Sequence, residues 1–325
     1  MNPWLHAVLY SLVLVTVLMT CTAYATWLER KVAGRMQSRL GPTRVGFAGL
    51  LQPIADALKL LQKEDIVPLA ADRALFNLAP PLTVFFALAT AAVIPFSPGL
   101  LASDLDIGAL YVLALSGLMV FPVWIGSWAS NNKYALLGGM RAVAQGISYE
   151  IPLLLSVTIV ILMADTMSLS GIVQVQADEG WFIARPFGLG LATFALFFVA
   201  ALAEGNRIPF DTPEAESELV AGPTTEYTGM KFGLFYMAEY LHSIIVAGLG
   251  AALFLGGWDG PIAPGLHWMV LKTLGLWMVM LWARWTFLRF RTDQMMTLCW
   301  RYLVPASLGL LMAAAVWVHA VHGVS

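Results

Sequence analysis

Carboxylates set into an otherwise apolar chain are the residues whose chemistry needs explaining. The segment GNRIPFDTPEAESELVAGPTTEYTGMKF, residues 205–232, holds Asp211, Glu214, Glu216, Glu218 and Glu226 against only Arg207 and Lys231. Three further acids fall within or at the end of apolar runs: Glu150 in SYEIP, Glu204 in LAEGN and Glu239 in FYMAEYLH. An ionised carboxylate inside a bilayer costs at least a few kcal/mol, and no Lys or Arg in the same runs is placed to neutralise these. Such a group either carries a proton or faces water inside the protein. Any one of them could serve as a packing hydrogen bond between helices. Three together, all towards one end of their runs, point to a proton path. Within the loop, DTPEAESEL predicts a helix start with Asp211 or Thr212 as N-cap and Pro213 in the first turn. Glu214 and Glu216 then sit where the helix dipole favours negative charge. Glu214 and Glu218 share a face in that helix, and their repulsion favours proton uptake. Capping chemistry leaves Glu218 and Glu226 unexplained.

The elements that carry these acids are membrane spans. Hydrophobic residues make up 59% of the 325 positions, charged residues 12%, and mean hydropathy is +0.76. A soluble domain carries about twice that charge. Apolar runs of roughly 20 residues, enough to cross a bilayer, recur along the chain. Eight are predicted, at about 4–27, 75–97, 107–129, 142–163, 187–204, 232–257, 268–287 and 302–321. The expected fold is therefore an all-α integral membrane protein, a single polytopic domain over residues 1–325. The N-terminus lacks a basic n-region and a cleavage site, so its first run is expected to remain as a span. Of the 18 Lys and Arg, all but Arg185 and Lys272 fall in or beside the connections after spans 1, 3, 5 and 7. The positive-inside rule puts these loops, at about 28–74, 130–141, 205–231 and 288–301, in the cytoplasm. Both termini then lie on the outer side.

The first cytoplasmic loop contains VGFAGLLQPIADALKLLQKED, where Leu50, Ile54, Leu58 and Leu61 recur at helical spacing opposite Gln52, Asp56, Lys59 and Lys63. This predicts an amphipathic helix, lying in the membrane interface or packed on neighbouring spans. Pro80, Pro81 and Pro152 interrupt spans, which a bilayer tolerates only where protein or water satisfies the freed carbonyls. A net charge of −2 gives no basic surface for nucleic acid. Cys21 and Cys299 make neither a disulfide framework nor a metal motif. Of five histidines, His6, His319 and His322 lie near the outer termini and His267 beside an outer loop, which leaves His242 alone well inside a span, so paired haem ligands are missing. No dinucleotide fingerprint, P-loop or Fe–S cysteine set is present. The expectation is a chain without a redox cofactor or metal of its own.

Taken together, ERKVAGRMQSRLGP with GLLQPIADALKLLQKE, then AVAQGISYEIP, then AEGNRIPFDTPEAESELVAG with TEYTGMKFGLFYMAEY, then RFRTDQMM closely resemble the H-subunit family of respiratory complex I. That complex is the NADH:quinone oxidoreductase, and the mitochondrial counterpart of this component is called subunit 1. The likeness covers essentially the full chain. It implies a bacterial inner-membrane component that joins membrane and peripheral arms and forms part of the quinone chamber and its membrane entrance. It implies partners in the peripheral arm, carrying FMN and Fe–S clusters, small membrane-arm neighbours, quinone as substrate, and lipid. By the same resemblance, Glu150, Glu204, Glu214, Glu216, Glu218, Glu226 and Glu239 match an acidic path linking quinone reduction to proton pumping. Glu29, Arg30, Gln37, Arg39, Asp56, Arg207, Asp211 and Phe232 match positions around the quinone tunnel. Gly205, Pro223 and WTFLRFR depart from the usual family pattern. Relatives with other electron donors share much of it, and a stand-alone proton-coupled transporter is the rival from another class. No inverted repeat is visible to favour that rival.

Overall fold

A computed structural model describes the backbone of residues 3–101, 103–185 and 188–322, and side chains within these other than those of residues 3–7, 216, 217, 321 and 322. Among the described residues, thirteen α-helices run in chain order: α1 (Pro3–Met36), α2 (Gln52–Gln62), α3 (Arg73–Ala91), α4 (Gly108–Leu118), α5 (Val120–Ala129), α6 (Lys133–Ala164), α7 (Leu169–Glu179), α8 (Leu189–Glu204), α9 (Glu216–Leu219), α10 (Gly229–Phe254), α11 (Leu266–Thr286), α12 (Thr292–Thr297) and α13 (Val304–His322). Seven continuous stretches among the described residues are long and apolar enough to cross a membrane. One joins α4 with α5, and another joins α12 with α13 through a π-helical turn at Leu298–Leu303. The expected fifth span is α8, whose 16 residues reach only about 24 Å. The chain is a multi-pass, all-helical membrane protein.

Several boundaries differ from the sequence expectation. The first helix runs on to Met36, which puts Glu29 and Arg30 on its last turns. Helix α6 starts at Lys133 and not near residue 142. Helix α7, between α6 and α8, has no counterpart in the sequence reading. It is tied down by buried Gln176, whose amide donates to the Ala252 carbonyl at 2.8 Å and accepts from Gly256 N–H at 3.0 Å. Lys272, one of the two basic residues assigned to the outer face, donates to the carbonyls of Leu255, Gly257 and Asp259. It thereby neutralises the negative end of α10.

Helix α10 is the hub. Of its most apolar stretch 83% is buried, and it packs against α1, α2, α3, α7, α8 and α11. Helix α2 confirms the predicted amphipathic pattern. Its Ile54, Leu58 and Leu61 are exposed, as are Leu50 and Leu51 just before it. The apolar face is therefore turned away from the spans, not packed on them.

The proline breaks obey the bilayer constraint. Pro80 cannot donate to the Phe76 carbonyl one turn earlier, and the Tyr227 hydroxyl does so instead at 3.2 Å. The Phe76 and Tyr227 rings stack with centroids 4.1 Å apart. Pro152 likewise frees the Ser148 carbonyl, which accepts the Cys299 thiol at 3.0 Å. Both substitute donors come from segments distant in sequence, so each break also pins one element to another. Tyr227→Phe is expected to lower stability by about 1–3 kcal/mol, the cost of one unmatched buried acceptor. The loss should shrink when Pro80→Ala restores the backbone donor. Thermal unfolding of the two single variants and the double variant in detergent checks this cycle.

The loop after α8 does not begin a helix at Asp211 or Thr212. It stays irregular through Ala215, and α9 is a single turn starting at Glu216. Pro213 therefore lies outside a helix, and Glu214 and Glu218 do not share a helical face. The cause is tertiary. Gly222 holds φ +53°, where a Cβ would collide with the Pro213 carbonyl. Gly138 of α6 approaches Gly222 so closely that a Cβ on it would lie 2.7 Å from the Gly222 Cα. The loop is folded back on itself against α6, which leaves no room for a helix from 211.

Candidate functional site

Arg207 leaves the end of α8 and turns inward, with 5% of its side chain exposed. Its Nε lies 3.2 Å from Glu239 Oε1 on α10 and its Nη1 3.7 Å from Glu29 Oε2 on α1. The guanidinium sits 4.2 Å from the centre of the Tyr240 ring, a cation–π contact. Glu29 is shared: its other oxygen lies 3.1 Å from Arg284 Nη1 at the end of α11. No Lys or Arg of the same span neutralises Glu239; its cation comes from the neighbouring loop. Burial alone opposes the Arg207 charge, and Glu239, Tyr240 and Glu29 more than offset this. Yet none of its three guanidinium nitrogens has a hydrogen bond of good geometry. The network is held by charge at slightly long range.

Asp211 and Glu214 extend the network. Asp211 lies 3.2 Å from Arg289. Burial pushes the Asp211 carboxyl up to about 6, with Arg289 opposing and Glu239 adding to the shift. Glu214 is pushed up to about 8, first by burial, then by the Glu239 and Asp211 carboxylates, with Arg207 and Arg284 opposing. Protonated Glu214 leaves Glu29, Glu239 and Asp211 to balance Arg207, Arg284 and Arg289.

A cavity of about 100 Å³ adjoins this network and is lined by Glu204, Glu214, Glu239, His242, Ser116 and Tyr236, among others. It is large enough for a short chain of waters and has the polar walls to hold them. Glu204 is almost fully buried, with neither carboxylate oxygen hydrogen-bonded. Its Oε2 lies 3.9 Å from His242 Nε2. Glu150 packs its carboxylate directly over Gly117 of α4, where a Cβ would collide with it. Glycine there is the condition for that carboxylate to lie between α4 and α6. From the cavity wall Phe232, Tyr236 and Tyr240 follow at i, i+4 and i+8 along α10. The Phe232 and Tyr236 rings are stacked, and the two tyrosine hydroxyls lie 2.9 Å apart. Phe232 is 39% exposed, so this aromatic stripe leads from the protein surface to Arg207.

The remaining predicted residues lie apart. Glu218 is exposed and pairs with Arg141 at 2.5 Å. Glu226 accepts from the Asn132 amide at 2.5 Å. The side chain of Glu216 lies outside the described residues. Arg30 pairs with Asp56 at 2.6 Å, with Lys59 also beside Asp56, joining α1 to α2. Gln37 accepts from Arg39 at 2.8 Å just after α1. Sequence reasoning missed Arg284, Arg289, Tyr240 and His242 as members of the site. Arg284 carried a signal, a charge within the apolar WMVMLWARWTF, and His242 another, as the histidine set well inside an apolar run and not near its outer end. Among the described residues, no group of three or more His, Cys, Asp or Glu side chains is arranged to hold a metal.

Fold and site define a polytopic membrane protein with a buried acid–arginine network opening on an internal cavity. The family described as NADH dehydrogenase matches residues 9–315, and the chain belongs to that family. The H subunit of NADH-quinone oxidoreductase from Syntrophotalea carbinolica is 48% identical over 315 residues, covering 94% of each chain. The protein of the same name from Dehalococcoides mccartyi strain CBDB1 is 45% identical over 312 residues, 96% of this chain and 87% of the relative. That of Rhodospirillum rubrum is 46% identical over 313 residues, 94% of this chain and 92% of the relative.

The raised Glu214 and Asp211 carboxyls give stability a pH dependence of definite sign. Between the ordinary carboxylate value and the raised one, the folded state holds a proton that the unfolded chain has lost. Stability therefore falls as pH rises. For Glu214 the window runs from about 4.3 to about 8, and for Asp211 it closes at about 6. Glu214→Gln is expected to flatten the decline between pH 6 and 8 by up to about 1.4 kcal/mol per pH unit. Unfolding midpoints measured across this range for both proteins check it.

Proposed function

We propose that this chain acts as the H subunit of a redox-driven, proton-translocating NADH:quinone oxidoreductase. In this reading it walls part of the quinone chamber and its membrane entrance, and holds the acidic path that couples quinone reduction to proton movement. The relatives' shared name supports the complex. The observation that carries the coupling role is the cavity joining Glu204, Glu214 and Glu239 beside the buried Arg207. FMN and Fe–S clusters then belong to peripheral-arm partners, which supply the electrons, and quinone is the substrate. The basic loops face the cytoplasm by the positive-inside rule, with both termini outside in a bacterial inner membrane. Helix α2, with its apolar face outward, lies in the cytoplasmic membrane interface beside the entrance. Arg30 and Asp56, which bridge α1 and α2, and Gln37 with Arg39 border the same mouth.

The coupling chemistry follows from the network. Arg207 is shared by Glu239 and Glu29, and its hydrogen-bonding capacity is unfilled. An anion formed by quinone reduction near Arg207 competes with both carboxylates for the same guanidinium. A buried carboxylate that loses its cation neutralises itself by taking up a proton. The cavity offers that proton from Glu214 or Glu204 through water. Glu150, between α4 and α6, extends the path, whereas Glu218 and Glu226 are held apart by Arg141 and Asn132. In this way a change of charge at the quinone becomes a proton shift among carboxylates, with no redox step on this chain.

Glu239→Gln and Glu204→Gln, each made in the assembled complex, are expected to lower coupled quinone reduction and proton pumping by about tenfold or more, the scale of a lost proton-transfer group. Arg207→Met should abolish both, and Arg207→Lys should restore little, since one ammonium cannot span Glu239, Glu29 and the Tyr240 face. Turnover and pumping in proteoliposomes are the readouts. Full activity in both Glu variants would sink the acidic path. Purification of an active chain free of cofactor-bearing partners would instead establish the stand-alone transporter.

A further inference from the structure

His242 has no part in the path described so far, yet its placement suits one. It lies on α10 three residues after Glu239, so the two share a helical face. It is buried, lines the cavity, and holds Nε2 3.9 Å from Glu204 Oε2. Its Nδ1 is buried without a hydrogen-bond partner. A histidine used for packing normally satisfies both ring nitrogens, because each unmatched buried polar atom costs about 1–3 kcal/mol. Here one nitrogen faces a carboxylate at slightly more than hydrogen-bond distance and the other is left open. The surrounding polar and charged groups are Glu239 and Ser243 on α10, Glu204 on α8, Ser116 on α4, Glu150 on α6 and Arg207 from the loop. Ser243 is already engaged, accepting from the Trp277 indole at 3.2 Å and donating to the Tyr240 carbonyl at 2.8 Å.

We propose that His242 is a proton-relay residue between Glu204 and Glu239. This rests on the acidic-path reading above and adds a member to it. The step is a balanced exchange. Nε2 of the neutral imidazole takes the proton of the Glu204 carboxyl as Nδ1 gives up its own to a cavity water. That water passes a proton to the Glu239 carboxylate as Arg207 is drawn away. One proton enters, one leaves, and the imidazole stays neutral with its tautomer exchanged. The starting tautomer returns when Nε2–H gives its proton to one cavity water and Nδ1 takes one from another, again with no net charge on the ring. Imidazole suits this task because its two nitrogens can accept and donate on opposite edges.

The test uses the assembled complex in proteoliposomes with His242→Gln, His242→Asn and His242→Leu, and Glu239→Gln as a parallel variant. Gln and Asn keep hydrogen-bonding capacity and much of the volume but cannot take up and pass on a proton in this way. Assembly is checked by co-purification, and coupled turnover is measured in H2O and D2O. The relay predicts at least about tenfold slower turnover in all three histidine variants, with a larger solvent isotope effect than in the unmodified complex. Near-normal turnover in either amide variant, with loss only in His242→Leu, would mean a packing role and overturn the proposal. An unchanged isotope effect in slowed amide variants would overturn it equally. If only Glu239→Gln is impaired, the path stands and the relay is overturned; if neither histidine nor glutamate variants are impaired, the path itself fails. Should one amide variant not assemble, the other decides.

Discussion

The structure depends on a guanidinium held away from water. Removing an arginine from solvent costs several kcal/mol unless opposite charges compensate. The compensation for Arg207 comes from separate elements: Glu239 and the Tyr240 face from α10, and Glu29 from α1. Glu29 in turn draws in Arg284 of α11. One buried charge therefore obliges three spanning helices and the loop after α8 to meet. Glu29, expected beside a quinone tunnel, is in the structure a buried counter-ion shared by Arg207 and Arg284.

Polar groups in the interior fall into two kinds. Some are fully matched. Gln145 donates to the Ala203 carbonyl and accepts from Thr212, Gln176 ties α7 to α10, and the carbonyls freed by Pro80 and Pro152 meet Tyr227 and Cys299. These fix geometry and have no capacity left. Others are buried and unmatched: both oxygens of Glu204, Nδ1 of His242 and all three nitrogens of Arg207. A native interior tolerates few such groups; Glu204 and His242 line the cavity, and Arg207 pairs with Glu239 in its wall. Unmatched groups of this kind are a poor way to stabilise a protein and a natural way to keep protons and charge movable.

Much of this was legible in the sequence and some of it could not be. The membrane class and seven of the eight spans follow from long apolar runs. The amphipathic pattern of α2 follows from Leu50, Ile54, Leu58 and Leu61 at helical spacing, but the outward direction of its apolar face comes only from the structure. Glu204 and Glu239 announced themselves as charges in apolar surroundings. Their partners did not, because Arg207 lies 32 residues before Glu239 and only tertiary folding joins them. The predicted helix from Asp211 was good local chemistry, overruled by the close approach of Gly138 and Gly222. That same fold sends Glu214 inward to Glu239 and leaves Glu218 outside with Arg141, so two acids four residues apart have different environments.

Helix α10 carries the consequence. Along it come Phe232 and Tyr236, which lead in from the surface, then Glu239 and Tyr240 at Arg207, and, round the helix from Tyr240, His242 at Glu204. Because the helix is buried among its neighbours, shifting it as a body would disturb most of the core. What can change without moving the helix is smaller: the protonation of loop carboxylates beside it, Glu214 among them. The Arg207 and Glu204 ends of this stretch are thus linked by charged side chains as well as by backbone. The reach of about 24 Å for α8 fits the same logic. Ending at Glu204, it delivers a carboxylate into the interior where a longer helix would carry it past the cavity.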